Sequence, residues 1–139
     1  MAEPIRKFDS NGIYWCLNEL YHREDGPAVE YVNGSKEWYL YGKLHREDGP
    51  AIEDADGEKY WYLNGKCHRE NGPAVEYSNG YKAWWKYEKL HREDGPAIEW
   101  PARNQYDWYL NGKLIGKGIR PENWDELVVL SQVEKIMND

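Results

Sequence analysis

The sequence predicts a mainly β protein: an elongated single-layer antiparallel meander of about four and a half hairpin repeats of 23 residues, followed by a C-terminal capping helix. Three observations predict it. One heptad, His-Arg-Glu-Asp-Gly-Pro-Ala, recurs at a fixed interval. Short β-favouring runs alternate with Asn-Gly and Asp-Gly turns. After Gly118 the repetition stops and apolar residues recur at three- and four-residue steps.

The heptads begin at His22, His45, His68 and His91, each 23 residues after the last, and the third copy carries Asn71 in place of Asp. Fixed self-similarity of this length is the signature of stacked repeats. Trp38, Trp61 and Trp84 follow their His by sixteen residues, and Trp108 by seventeen. The extra residue falls in the stretch Pro101–Gln105. Trp15 precedes His22 as Trp38 precedes His45, so the chain opens with a half-repeat in which Pro4 stands where Pro27 stands. The expected organisation is a repeat sheet over 1–118 (half-repeat 5–21; repeats 22–44, 45–67, 68–90 and 91–115) and a helical cap over 119–139.

Within a unit, Trp38-Tyr39-Leu40-Tyr41 and Ala28-Val29-Glu30-Tyr31 read as strands. Asn33-Gly34, Asp56-Gly57 and Asn79-Gly80 form one turn series, and Asn64-Gly65 and Asn111-Gly112 a second. Both suit type I′ hairpins, which need positive φ at two residues. Each repeat is then two antiparallel strands, and the sheet grows by about 9.6 Å per repeat to roughly 43 Å. Trp15, Trp38, Trp61, Trp84 and Trp108 stack as one ladder. Tyr39, Tyr62, Trp85 and Tyr109 point to the opposite face, because strand side chains alternate. The third unit reads Trp84-Trp85-Lys86-Tyr87-Glu88-Lys89 and is expected to lose its tight turn. In the tail, Asn123-Trp124-Asp125-Glu126 reads as a capping box after Pro121. Trp124, Leu127, Leu130, Val133 and Met137 read as the apolar face of a helix over about 123–137, one that covers a sheet edge.

Trp61-Tyr62-Leu63-Asn64-Gly65-Lys66-Cys67-His68 and Trp108-Tyr109-Leu110-Asn111-Gly112-Lys113-Leu114 resemble the MORN repeat, a 23-residue β-hairpin unit with an aromatic strand and an Asn-Gly-Lys turn. The resemblance covers roughly 5–115. MORN units usually continue His-Gly-x-Gly, so this chain resembles a variant class common in bacterial, phage and large-virus proteins. The resemblance implies an elongated single-layer sheet used for protein interaction, oligomerisation or phospholipid contact.

Composition narrows the function. Eight Trp and twelve Tyr stand against one Phe and two Met, which suits half-buried surfaces with polar tips better than a dry core. The net charge of −7 argues against general nucleic-acid or anionic-lipid binding, which draws on clustered Lys and Arg. No apolar run reaches the ~20 residues of a membrane helix. The first residues do not read as a secretory signal, and Cys16 and Cys67 occupy unmatched repeat positions. They read as free thiols in a cytoplasmic, reducing compartment.

The His-Arg-Glu-Asp clusters carry acid–base groups. A catalytic site needs to occur once, whereas this cluster recurs in every unit, so the heptad reads as scaffold and the chain as a non-enzyme. In that reading His fills a polar gap between hairpins, and Arg and Glu pair across neighbours. Equivalent His at about 9.6 Å spacing cannot share a Zn ion, so no metal or other cofactor is expected.

Function is instead expected on an aromatic and charged face, with a protein as partner. The contact residues are Tyr39, Tyr62, Trp85, Tyr87, Trp100, Arg103 and Tyr109, concentrated where the third and fourth units break the pattern. Homo-oligomers through sheet edges fit the same architecture. The alternative is a phage- or virus-type effector that inhibits a host defence protein or sequesters a small nucleotide-like ligand.

Overall fold

The computed structural model describes residues 2–138; Met1 and Asp139, at the outer ends of the two expected segments, lie outside it. Its main feature is a twelve-stranded antiparallel sheet in which spatial order follows chain order. The path runs through Ile5–Phe8, Gly12–Leu17, Val29–Tyr31, Lys36–Glu37, Ile52–Glu53, Lys59–Tyr60, Val75–Glu76, Lys82–Ala83, Ile98–Trp100, Gln105–Leu110 and Lys113–Lys117. Leu20–Tyr21 pairs beside Gly12–Leu17.

In the fourth repeat Gln105–Leu110 runs unbroken through Trp108 and the count is three strands; each of the first three full repeats holds four short strands rather than the two expected. Two join the main sheet. The other two form a side hairpin: Tyr39–Leu40 with Lys43–Leu44, Tyr62–Leu63 with Lys66–Cys67, and Trp85–Lys86 with Lys89–Leu90. The Trp of each unit is the joint between them. Trp38 N–H donates to the Ala51 carbonyl, and its own carbonyl accepts from His45 N–H. Ala28, Ala51, Ala74 and Ala97, which end the heptads, are wholly buried beside these joints. Single backbone bonds also tie successive side hairpins together, such as Gly65 N–H to Leu44 O and Gly112 N–H to Leu90 O.

The two turn series differ. In the first, φ is positive only at Gly34, Gly57 and Gly80, so Asn33, Asp56 and Asn79 do not form type I′ turns. Gly34 N–H donates to Tyr31 O and Tyr31 N–H to Ser35 O, the pattern of a turn closed by a left-handed glycine bulge. In the second series both central residues are left-handed, as type I′ requires: Asn64 and Gly65, Asn111 and Gly112, Tyr41 and Gly42. The third unit keeps this turn. Tyr87 (φ 45°) and Glu88 (φ 70°) adopt it without any glycine, and Glu88 N–H still reaches Cys67 O. Backbone bonding between neighbouring hairpins overrides the residue preference there.

The helix spans Trp124–Asn138. It packs through Trp124, Leu127, Val128 and Ser131, with Trp124 1% exposed against Trp108 and Leu110. Leu130, Val133 and Met137, expected on the packed face, point to solvent with Val129 and Ile136. The helix is apolar on more than one side; Trp124, packed edge-on to Trp108 and donating to Glu93 O, and Asn111, donating from Nδ2 to Ser131 O, anchor the side it turns to the sheet. Asn123 accepts from Leu127 N–H through its carbonyl, and Asp125 pairs with Arg120 at 2.7 Å; the capping box is not formed among the described residues.

Candidate functional site: a tyrosine–carboxylate face

Cross-strand register assigns every main-sheet residue to one of two faces. Tyr14, Val29, Glu37, Ile52, Tyr60, Val75, Ala83, Ile98 and Asp107 stand opposite one another in a single row. The adjacent row, on the other face, reads Ile13, Glu30, Lys36, Glu53, Lys59, Glu76, Lys82, Glu99 and Tyr106. Its interior alternates Glu and Lys strand by strand, which places opposite charges side by side.

This second face also carries the tryptophan ladder, and the heptad satisfies it. Arg23, Arg46, Arg69 and Arg92 lie over Trp15, Trp38, Trp61 and Trp84, with guanidinium carbons 3.8 to 4.6 Å from the ring centres. Arg46 also donates from Nε to Asp48 and from one guanidinium nitrogen to the Pro50 carbonyl and Glu53. Arg–Glu pairing is therefore within a unit, seven residues apart, and not across neighbours. The arginine instead crosses the unit boundary by stacking on the preceding Trp. The heptad glycine makes room for it: a Cβ on Gly49 would sit 2.9 Å from the Arg46 guanidinium carbon. In the third unit Asn71 replaces the Asp, and Arg69 keeps only its bonds to Pro73 O and Glu76.

The histidines are interlocks. Nδ1 of His22, His45, His68 and His91 accepts the backbone N–H of Tyr41, Asn64, Tyr87 and Asn111 in the next turn, at 2.9 to 3.1 Å. That bond assigns the proton to Nε2, which faces Glu24, Glu47, Glu70 or Glu93. Burial lowers the pKa of His68 and His91 below the ordinary value, against the opposing pull of Glu70 and Glu93.

The first face has a different chemistry. Residues two positions along from the row, Tyr31, Tyr77, Tyr81 and Trp100, share its side. Ring contacts gather it into two clusters: Tyr14–Tyr21 at 6.1 Å and Tyr21–Tyr39 at 5.2 Å, then Tyr60–Tyr77 at 5.9 Å, Tyr77–Tyr81 at 5.0 Å and Tyr81–Trp100 at 5.3 Å. Three tyrosines donate to carboxylates: Tyr14 to Asp9, Tyr39 to Glu37 and Tyr60 to Glu58, at 2.8 to 3.2 Å. Burial, then these acidic neighbours, pushes the Tyr31 hydroxyl up to about 12 and raises Tyr39; burial, then Tyr77 and Glu58, raises Tyr60. These tyrosines stay protonated donors. Burial likewise pushes the Cys67 thiol up to about 12, so it behaves as core rather than nucleophile.

Tyr39, Tyr62 and Trp85 lie on this tyrosine face in the side hairpins, paired with Leu44, Cys67 and Leu90, and Tyr109 lies on it in the main sheet, paired with Leu114. Trp100 and Arg103 meet on it too, the guanidinium 4.0 Å above the ring. Tyr87 does not join them. It stacks on His68 at 3.9 Å and borders an open groove between the helix and the third and fourth units. The surface residues absent from the sequence-based set are Tyr14, Tyr21, Tyr31, Tyr60, Tyr77 and Tyr81. For Tyr60 a signal was present as Glu58-x-Tyr60, which matches Glu37-x-Tyr39 and puts carboxylate and ring on one face by strand alternation; Tyr14, Tyr31, Tyr77 and Tyr81 carry no such pattern. No protein-family model, curated protein or solved structure matches the chain.

Proposed function

We propose that the chain is a non-catalytic protein-interaction module that binds a partner protein through the tyrosine face. The observation that carries this reading is a difference in cover. The helix packs on the tryptophan face over Trp108, and the arginines stack on the other ladder tryptophans. The helix's packing partners, Trp108 and Leu110, belong to the tryptophan side, whereas on the tyrosine face side-hairpin residues Tyr62, Cys67, Trp85 and Leu90 close around Val75 and Ala83 and leave most of the tyrosine rings half-buried. Half-buried Tyr and Trp supply large contact area at low entropic cost, which is why they dominate binding surfaces. The non-catalytic part is supported by the histidines, whose Nδ1 atoms are already engaged with backbone. The 23-residue hairpin unit with its Asn-Gly-Lys turns supports placing the chain beside MORN-variant repeats.

Capture from the native host, read by mass spectrometry, tests the proposal with three baits. They are the native chain, Tyr39→Ser/Tyr62→Ser/Tyr109→Ser, and the helix-surface variant Leu130→Ser/Val133→Ser. Circular dichroism checks that each is folded. A partner kept by the native and helix-surface baits and lost from the tyrosine variant is expected. A partner kept by the tyrosine variant contradicts the proposal.

A second reading, capture of a small nucleotide-like anion, draws on the groove of about 1420 Å³ bordered by Tyr87, Lys89, His91, Lys113 and Lys135. A thermal shift with a nucleotide that vanishes in Lys89→Gln/Lys113→Gln is its expected result, and no shift across a nucleotide panel counts against it.

A further inference from the structure

The tyrosine face is acidic as well as aromatic over its interior strands; the lysines that register places on it, Lys7 opposite Tyr14 and Lys117 opposite Asp107, stand on the two edge strands. Glu37, Asp54, Glu58 and Asp107 all project from it, by register and alternation. Among the described residues none of the four forms an ion pair, whereas Glu53, Glu76 and Glu99 on the opposite face each hold an arginine. Asp107 is 4% exposed, and its Oδ1 has no hydrogen-bond partner. Every interior lysine of the main sheet (Lys36, Lys59 and Lys82) is on the other face.

We infer that the partner is cationic: a protein segment rich in arginine or lysine that lies across the strands, its side chains on the tyrosine rings and its charges on Glu37, Asp54 and Glu58. The inference rests on the reading of the tyrosine face as the binding surface and names the chemistry of what it binds. Glu58 lies two strands across from Glu37 and two residues along, about 12 Å away, a distance that an extended segment spans in about four residues. A ring whose hydroxyl donates to a carboxylate offers a cation both a π face and a counter-charge. The chain supplies an internal example, because Arg103 already sits on Trp100 at one end of this face. Exposed pairs of this kind contribute modestly one by one and select partners collectively.

Calorimetric titration with an (Arg-Gly)₅ peptide, and with (Glu-Gly)₅ as its reverse, tests the inference. The expected result is saturable binding of the first peptide only. It should weaken about tenfold or more in Glu37→Gln/Asp54→Asn/Glu58→Gln, and by less than about twofold in Glu122→Gln/Glu126→Gln/Glu134→Gln, which removes the same charge from the helix segment. No binding of the arginine peptide overturns the inference, and so does an equal loss in both variants. The capture experiment separates the two claims. A partner lost from the tyrosine variant and kept by Glu37→Gln/Asp54→Asn/Glu58→Gln leaves the binding face standing and removes its cationic occupant. A partner kept by both removes the binding face itself.

Discussion

The two faces of the sheet are built from the same 23-residue unit and end in opposite states. On the tryptophan face each ring is covered, each heptad arginine has several partners, and glutamates alternate with lysines. On the tyrosine face rings touch rings, Glu37 and Glu58 accept from tyrosine hydroxyls, and Asp107 accepts from the Gln105 side-chain amide. The contrast teaches that the most repeated residues hold the molecule together. The residues of the tyrosine face drift between copies: position 39 is Tyr, its third-unit equivalent Trp85, and Ile52 is answered by Val29 and Val75.

If the tryptophan face is the structural one, its disruption should dominate stability. Trp124→Ala removes the ring stacked edge-on to Trp108 at 4.9 Å, together with the indole bond to the Glu93 carbonyl. It should cost about 3–5 kcal/mol in urea unfolding. Arg46→Ala strips the cover from Trp38 and leaves Glu53 unpaired, for a loss of about 2 kcal/mol. The matched change on the other face, Tyr39→Phe, removes one hydroxyl from Glu37 and should cost about 1 kcal/mol or less. Equal costs for Arg46→Ala and Tyr39→Phe would erase the distinction between the faces.

Acid probes the interlocks. Protonated histidine cannot accept at Nδ1, and His68 and His91 have folded-state pKa values below the ordinary 6.5. The unfolded chain therefore binds more protons, and stability is present above about pH 6.5 and is lost as pH falls through that value toward the lowered ones. The melting temperature should drop between about pH 7.5 and about pH 5. Lys86 and Lys135 reinforce the lowering, and Glu70 and Glu93 oppose it. A melting temperature flat across that range would contradict the Nδ1 assignment. The last expected effect is a gain. Glu88→Gly relieves a left-handed non-glycine residue and should stabilise by about 1 kcal/mol.

Much of this was legible in the sequence. The 23-residue period and the Asn-Gly and Asp-Gly punctuation predicted a meander ending in a helix, and alternation placed Tyr39, Tyr62, Trp85 and Tyr109 opposite the tryptophan ladder. The side hairpins were not legible, because strands of two residues, such as Lys43–Leu44, carry no periodicity. The turn at Tyr87-Glu88 was missed because tertiary hydrogen bonding, not glycine, holds it. The helix face was misassigned because Val128, Val129, Leu130 and Val133 surround the axis, and the choice among them falls to long-range contacts, Trp124 to Glu93 and Trp108 and Asn111 to Ser131. The arginine stack was hidden because its partner, the preceding Trp, belongs to the previous unit.

Hydroxyl-radical footprinting of the chain with its captured partner tests the central claim most directly. The account predicts that Tyr39, Tyr60, Tyr77 and Tyr81 lose reactivity on binding while Met137 and Leu130 on the helix keep theirs. Protection of the helix surface with unchanged tyrosines would contradict it.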